Sequence, residues 1–302
     1  KMSNQTRVTQ FILRGFSDTQ ELKFVVFFFF LFDYLFCLLG NVSIIIAVTR
    51  EAVSTPPYLS FLDMCYTSVT IPSPGSGVIS YLECVAQLYM LITFGSTEFF
   101  LLTAMAYDRC LAIYRPLLYA SMMSHKLCSE LVIMAWVAGA LYSAFHTTNT
   151  FSLPFCGPNV VEHFFCDIPP VMRLSCTDFH TNEEVGFAVS SCIGMSSFAL
   201  TIVSYACIIS TIARISSVDG RWKAFSTCSS HLTTVILFYG AASFAYLRSA
   251  SQYSPTQGRL TSFFYTIVTP TLNPVIYCLR NKDMKDALRK LYWFMQICNK
   301  KK

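Results

Sequence analysis

Charge is scarce in this chain. Only 13% of its 302 residues are Asp, Glu, Lys or Arg, against about 25% in an ordinary soluble domain. A soluble fold of this size would be left with large apolar patches facing water, so lipid is the solvent the composition implies. The net charge of +5 is modest and unevenly spread; it reads as membrane topology, not as a nucleic-acid footprint. Catalytic motifs are missing as well. The chain holds no exposed nucleophile–base pair, no phosphate loop and no zinc-binding helix, which sets enzymes aside. His146 and His231 fall near helix ends with no partner legible in the sequence. No soluble insertion separates the apolar runs, and no inverted repeat of the transporter kind is visible. The first 23 residues hold Arg7, Arg14, Asp18, Glu21 and Lys23 and lack an apolar core with a small-residue cleavage site. The first apolar helix is therefore expected to act as its own insertion signal.

What the chain has is apolar length. It is 54% hydrophobic, with 27 Phe, and seven apolar stretches stand out at about 24–48, 57–74, 84–108, 126–148, 184–213, 222–247 and 259–280. Most exceed the roughly 20 residues that a spanning helix needs. An outside N-terminus puts Arg50, Arg109, Arg115, Lys126, Arg214, Arg221 and Lys223 at cytoplasmic loops and leaves only Arg173, Arg248 and Arg259 outside. That asymmetry sets the orientation. The basic tail, 281–302, carries Lys282, Lys285, Arg289 and Lys290 beside Leu288, Leu291 and Trp293. It reads as a short amphipathic helix on the inner membrane surface. The expected fold is an all-α membrane protein: a seven-transmembrane-helix bundle, residues 1–280 with an outer tail 1–23, followed by that short cytoplasmic helix.

Two segments break the pattern. The second stretch is cleanly apolar only from Tyr58 to Ile71, with prolines on both sides; its 14 residues make about 21 Å of helix, short of a hydrocarbon core of about 30 Å. The loop between the fourth and fifth stretches runs about 35 residues, the length of a functional loop. It holds Cys156, Cys166 and Cys176, and Cys84 opens the third stretch on the same side. Four cysteines in an oxidising compartment suggest two bridges, and spacing leaves all three pairings open. Asn4-Gln5-Thr6 is a glycosylation acceptor on the outer tail.

Several strings resemble odorant receptors, a branch of the rhodopsin-like G-protein-coupled receptors. They are Gly40-Asn41, Leu59-Ser60-Phe61-Leu62-Asp63, Met105-Ala106-Tyr107-Asp108-Arg109, Ser204-Tyr205, Lys223-Ala224-Phe225-Ser226-Thr227-Cys228-Ser229-Ser230-His231-Leu232, and Pro270-Thr271-Leu272-Asn273-Pro274-Val275-Ile276-Tyr277. The resemblance covers nearly the whole chain. Departures are Cys110 where the family usually has Tyr, Tyr114 where it usually has Cys, and shortened stretches around Pro56-Pro57-Tyr58 and from Pro72 to Cys84.

The resemblance gives the polar residues roles. Asp63 and Glu98 are intramembrane carboxylates, a placement that costs roughly 2.5–3.5 kcal/mol or more and so marks function. The resemblance makes them, with Asn41 and Asn273, the oxygen ligands of a sodium ion; a shared proton is the other reading, since two close carboxylates resist joint ionisation. The resemblance also implies a latch in which Asp108 holds Arg109 at rest and release frees Arg109 for a stimulatory heterotrimeric G protein. Tyr205 and Tyr277 would rearrange toward Arg109, Pro274 would bend span seven, and Arg221 and Lys223 would flank the moving base of span six. The family implies a Cys84–Cys166 bridge, with Cys156–Cys176 closing a loop within the long loop. His163-Phe164-Phe165-Cys166-Asp167 also resembles a metal-binding string, but an oxidised Cys166 could supply no thiolate.

The ligand is expected between spans three, five, six and seven. Span three offers Leu88, Leu91, Ile92, Gly95 and Ser96 at helical spacing. Span five offers Val189 and Ile193; span six Tyr239, Ala242, Ser243 and Tyr246; span seven Phe263 and Thr266. This lining is dry, with a few hydroxyls and no carboxylate near Leu91. It suits a small neutral, mostly apolar volatile held by shape and one hydrogen bond. Expected partners are thus the odorant, the G protein and the bilayer, with no nucleic acid; the expected location is the plasma membrane, and by resemblance the cilia of olfactory neurons. Competing readings are a membrane transporter and a degraded receptor whose second span is too short to function.

Overall fold

The computed structural model describes residues 8–14, 20–51, 57–70, 77–246, 255–280, 285–286 and 289–290. The glycosylation acceptor at Asn4 and nearly all of the amphipathic tail lie outside these. Among the described residues ten α-helices follow in chain order. They are α1 (Gln20–Glu51), α2 (Pro57–Thr70), α3 (Tyr81–Tyr114), α4 (Tyr119–Met122), α5 (His125–Phe151), α6 (Ile168–Met172), α7 (His180–Arg214), α8 (Val218–Tyr246), α9 (Pro255–Phe263) and α10 (Thr269–Arg280). Spans one to seven correspond to α1, α2, α3, α5, α7, α8 and the α9–α10 run. Among the described residues four helices are long and apolar enough to cross a membrane by length and composition alone: Phe27–Thr49 of α1, then α3, α5 and α7. Phe32, Leu39, Met195 and Val203 face outward uncovered, as lipid-facing side chains do.

Helix ends fall where the local chemistry stops or starts them. The apolar run of span three begins at Cys84, yet α3 starts at Tyr81. Ser80 caps it: the Glu83 amide donates to Ser80 Oγ at 3.2 Å and the Ser80 amide to Glu83 Oε2 at 2.8 Å, a reciprocal capping box. Ser124 caps α5 in the same way, accepting from the Leu127 amide at 3.2 Å. Span seven is interrupted by a π-helical turn, Phe264–Val268. Pro270 has no amide hydrogen to donate to Thr266, so the ladder must step over it; Thr269 Oγ1 donates to the Phe264 carbonyl at 3.2 Å across the turn.

α3 is the central rod, packed on α2, α5, α7 and α8. Its approach to α5 depends on Gly139, where a methyl group would run into Thr97 and Ser96 of α3. An inner apolar core joins Ile44, Leu59, Leu62, Leu101, Met105 and Ala135 from four helices.

The end assigned to the outside by the Lys and Arg distribution carries a feature that the apolar pattern does not announce. Three short strands form a sheet in the order β2–β1–β3, with β1 (Gln10–Leu13), β2 (Val78–Ser80) and β3 (Val160–Val161). β1 pairs antiparallel with β2, Phe11 opposite Ile79, and parallel with β3, Leu13 opposite Val161. Gly77 turns the chain into β2 with φ +68, where a Cβ would meet the Leu13 carbonyl; only glycine meets both demands without strain. Phe11 is fully buried against Cys84, Phe155, Val161 and Cys166. The outer tail is thus stitched to the long loop as the middle strand of a small cap.

Candidate ligand site and switch

The bundle's centre gathers the residues expected to hold a cation. Asn273 Nδ2 lies 3.0 Å from Asp63 Oδ1, 3.3 Å from Asp63 Oδ2 and 3.4 Å from Glu98 Oε1. α2, α3 and α10 each deliver one of the three. Asn41 of α1 donates to the Cys37 carbonyl at 3.0 Å. All four side chains are buried. The carboxamide oxygens of Asn41 and Asn273 have no hydrogen-bond partner among the described residues, an arrangement that costs about 1–3 kcal/mol per group if nothing fills it. Asp63 and Glu98 converge on the Asn273 amide as two buried carboxylates, oxygen donors of the kind that suit a hard cation. Among the described residues no three His, Cys, Asp or Glu come together, so a soft or transition metal does not fit.

At the inner end, Asp108 faces its neighbour. Arg109 Nε approaches Asp108 Oδ2 at 3.5 Å, and the Tyr119 hydroxyl donates to Asp108 Oδ1 at 2.8 Å. Burial, and then the Asp108 carboxylate, push the Tyr119 phenol up to about 12, so it stays a donor at every working pH. Tyr205 of α7 turns to α8. Its hydroxyl lies 2.7 Å from His231 Nδ1, and His231 Nε2 lies 3.1 Å from the Leu102 carbonyl. A carbonyl can only accept, so Nε2 carries the hydrogen and Nδ1 receives the Tyr205 proton. His231, which has no partner legible in the sequence, thus ties span six to spans three and five. Arg221 is exposed at the base of α8. The side chains of Lys223 and Tyr277 lie outside the described residues, although their backbones are helical.

The expected ligand lining divides. On α7, Val189 and Ile193 are half-buried, and Ile92 of α3 is too. Leu88 and Leu91 are buried, Leu91 among Phe30, Tyr66, Phe164, Phe165 and Ile267. Gly95 faces Tyr66 of α2, and Ser96 Oγ turns to the Ile92 carbonyl and to the Gly139 carbonyl of α5 at 3.3 Å. The five positions therefore do not present one lining. An apolar stripe on a helix is more than 100° wide, and neighbouring helices cover its two edges. Phe263 packs on Phe29 and Phe30 of span one, and Thr266 donates to the Ser262 carbonyl at 2.6 Å; these too are packing residues here. Ala242, Ser243 and Tyr246 are helical in backbone, with side chains outside the described set.

Tyr239 of α8 meets α3 and α7 through its hydroxyl. Its hydroxyl lies 2.9 Å from Ser197 Oγ, 3.3 Å from Thr103 Oγ1 and 3.4 Å from Thr201 Oγ1, and Thr103 contacts Ser197 directly. The Tyr239 ring packs on Phe99 and Phe198 at 5.0 and 5.5 Å between centroids. Four hydroxyls from spans three, five and six thus share one junction walled by aromatic rings. A second polar junction joins α5 to α7, where Ser190 lies 3.1 Å from His146 Nε2 and 2.7 Å from the Tyr142 hydroxyl.

The outer loop closes over this bundle. Cys84 bonds to Cys166 and Cys156 to Cys176, with Cα atoms 5.6 and 5.8 Å apart. Both nitrogens of His163 are engaged: Nδ1 accepts from the Phe165 amide at 3.4 Å and Nε2 lies 3.0 Å from Ser262 Oγ. Burial drives His163 down to about 3. The bridged Cys166 has no thiolate to offer a metal.

Comparison with known proteins now decides the family. The model of the family described as olfactory receptor matches residues 30–294. The human olfactory receptor 5T2 is 45% identical over 99% of this chain and 87% of its own length. The mouse olfactory receptor 5T17 is 44% identical over 96% of this chain and 94% of its own; the human olfactory receptor 2G3 is 45% identical over 96% and 98%. The chain belongs to the olfactory receptor family. Its fold is the family's seven-helix membrane bundle, and the family is one of receptors, not enzymes.

Several functional contacts of this receptor are not legible in its sequence. Tyr119, Thr103, Ser197 and Thr201 carry no motif beyond their residue types, and His231 lies in the span-six string without that string naming its partners. Hydroxyls and imidazoles in helices often bond their own preceding turn, and only the rotation of neighbouring helices decides which ones reach across. Asp33, a carboxylate inside the first apolar stretch, is by contrast legible in the sequence.

Proposed function

We propose that this receptor binds a small neutral, mostly apolar volatile between spans three, five and six and relays its arrival to a stimulatory heterotrimeric G protein at the inner rim. The observation that carries this reading is the junction of Tyr239 with Thr103, Ser197 and Thr201. It offers hydroxyls and rings without a charged partner, the chemistry that holds one carbonyl or hydroxyl of a volatile and gives an amine no counter-ion. The relay runs inward through Tyr205 and His231 to the closed Asp108–Arg109 pair. Arg109 suits the final contact because its planar charge persists at every working pH. Asp63, Glu98, Asn41 and Asn273 would hold a sodium ion or a shared proton, and either would neutralise one of the two carboxylates. The receptor would act at the plasma membrane, in the cilia of olfactory neurons.

The short second span does not favour a degraded receptor, because α2 still delivers Asp63 to Asn273. The test is expression with an outer tag and a panel of neutral odorants. The chain should reach the cell surface and raise cyclic AMP, and Arg109→Ala should reach the surface and stay silent. Retention inside the cell, uptake of a substrate without signal, or activation by charged, water-loving compounds alone would each overturn the proposal.

A further inference from the structure

Asp33 is a third carboxylate within the membrane, and neither the sodium site nor the latch uses it. It is the one charged residue in the apolar span Phe27–Thr49, eight residues before Asn41 and so about 12 Å further out. Asp33, Cys37 and Asn41 recur at a spacing of four, which sets them on one face of α1. That face meets span seven. Thr271 Oγ1 donates to Asp33 Oδ2 at 3.1 Å, and Cys37 Sγ lies 3.8 Å from the Pro270 carbonyl and 3.8 Å from Thr67 Oγ1. Two turns further in, a methyl group on Gly40 would stand 3.0 Å from the Pro274 ring. The seam between α1 and α10 is therefore tight at Gly40 and polar above it.

A carboxylate half-buried beside lipid needs more than one hydroxyl to stay charged. Among the described residues Asp33 receives that one hydrogen bond and no basic side chain. The titratable groups around it are Tyr34 and Cys37 on its own helix and, a layer deeper, Asp63 of α2 and Glu98 of α3. Tyr34 is turned to Ser68 at 3.3 Å. α10 brings Thr271 and no described titratable side chain. We propose that Asp33 is a proton-binding site in the membrane that, in its neutral form, fastens span one to span seven above Pro274. Oδ2 accepts from Thr271 and the proton sits on Oδ1. Loss of that proton would draw water into the seam at the point where the π turn and Pro274 let span seven bend.

The test needs neither an odorant nor a G protein. Infrared spectra of the purified full-length receptor, taken as pH is raised, should show the carbonyl stretch of a protonated carboxyl that fades on the alkaline side. Asp33→Asn should lack this band, and Thr271→Val should keep it at a shifted frequency. In cells, basal cyclic AMP of the native receptor should vary with external pH. Asp33→Asn should flatten that profile, and Asp33→Leu should raise basal output about threefold, the effect of one lost hydrogen bond. Identical carboxyl bands in native and Asp33→Asn receptors, or an unchanged pH profile in Asp33→Asn, would overturn the assignment. Either result would leave the reading of Asp63 and Glu98 standing.

Discussion

Tyr119 and Asp108 are joined across the inner rim: the phenol donates to the carboxylate oxygen that Arg109 leaves free, at 2.8 Å. The latch is therefore a triad. A hydrogen bond to a charged group contributes about 1.5–3 kcal/mol, and about 1.4 kcal/mol is tenfold in an equilibrium. Tyr119→Phe should raise basal cyclic AMP about tenfold at equal surface expression. Unchanged basal signal would mean that Asp108 holds Arg109 without help.

Tyr239 and Ser96 separate the ligand site read from spacing from the one read from contacts. Tyr239→Phe removes the hydroxyl shared with Thr103, Ser197 and Thr201. The concentration of odorant for half-maximal response should rise about fivefold, for a loss near 1 kcal/mol. Ser96 bonds within α3 and against Gly139, so Ser96→Ala should leave that concentration unchanged. A dose–response pair in one cell line checks both.

Gly139 sets how closely α3 and α5 approach. A methyl group there meets Thr97 and Ser96 on the facing helix, and overpacking of this kind costs about 1–3 kcal/mol. Gly139→Ala should lower the melting temperature of the detergent-solubilised receptor and reduce surface delivery. Gly157, with open space around it, is the matched control, and its alanine variant should behave as native.

The seven apolar runs are legible because lipid leaves backbone polar groups no partner but their own helix, so length and hydropathy alone mark a span. The carboxylates are legible for the same reason: Asp63 and Glu98 stand out against apolar neighbours. The cap is not. β1, β2 and β3 are two to four residues long, too short to show alternation, and their pairing is set by Gly77 and the bridged loop instead of by propensity. The expected ligand lining is half legible. Helical spacing finds the stripe on α3, but the rotation that turns Gly95 to Tyr66 and Ser96 to Gly139 is a property of three helices at once.

His163 makes the outer cap sensitive to acid. Burial holds the folded imidazole at about 3, against an ordinary value of 6.5, so it is neutral in the fold and protonated in the unfolded chain through that window. The unfolded state then binds more protons, and stability falls as pH drops from about 6.5 toward 3, by up to about 1.4 kcal/mol per unit. Above the window His163 contributes no pH dependence. Thermal unfolding of the purified receptor should show this slope, and His163→Gln should reduce it. A slope of the same size in the variant would assign the acid sensitivity to other groups.

For Asp63, Glu98, Asn41 and Asn273, all buried, melting separates a cation from a shared proton. A ligand that binds only the folded state stabilises it by an amount that grows with the logarithm of its concentration. If sodium fills the site, the melting temperature should climb as sodium replaces a large organic cation at constant ionic strength. Asp63→Asn and Glu98→Gln should each abolish the climb, since each removes one of the two carboxylate ligands. If the pair shares a proton instead, melting should ignore sodium and respond to pH, and the two variants should lose that response. Activation and melting that ignore both ions in the native receptor, with both variants signalling normally, would make the four residues a structural knot and no switch.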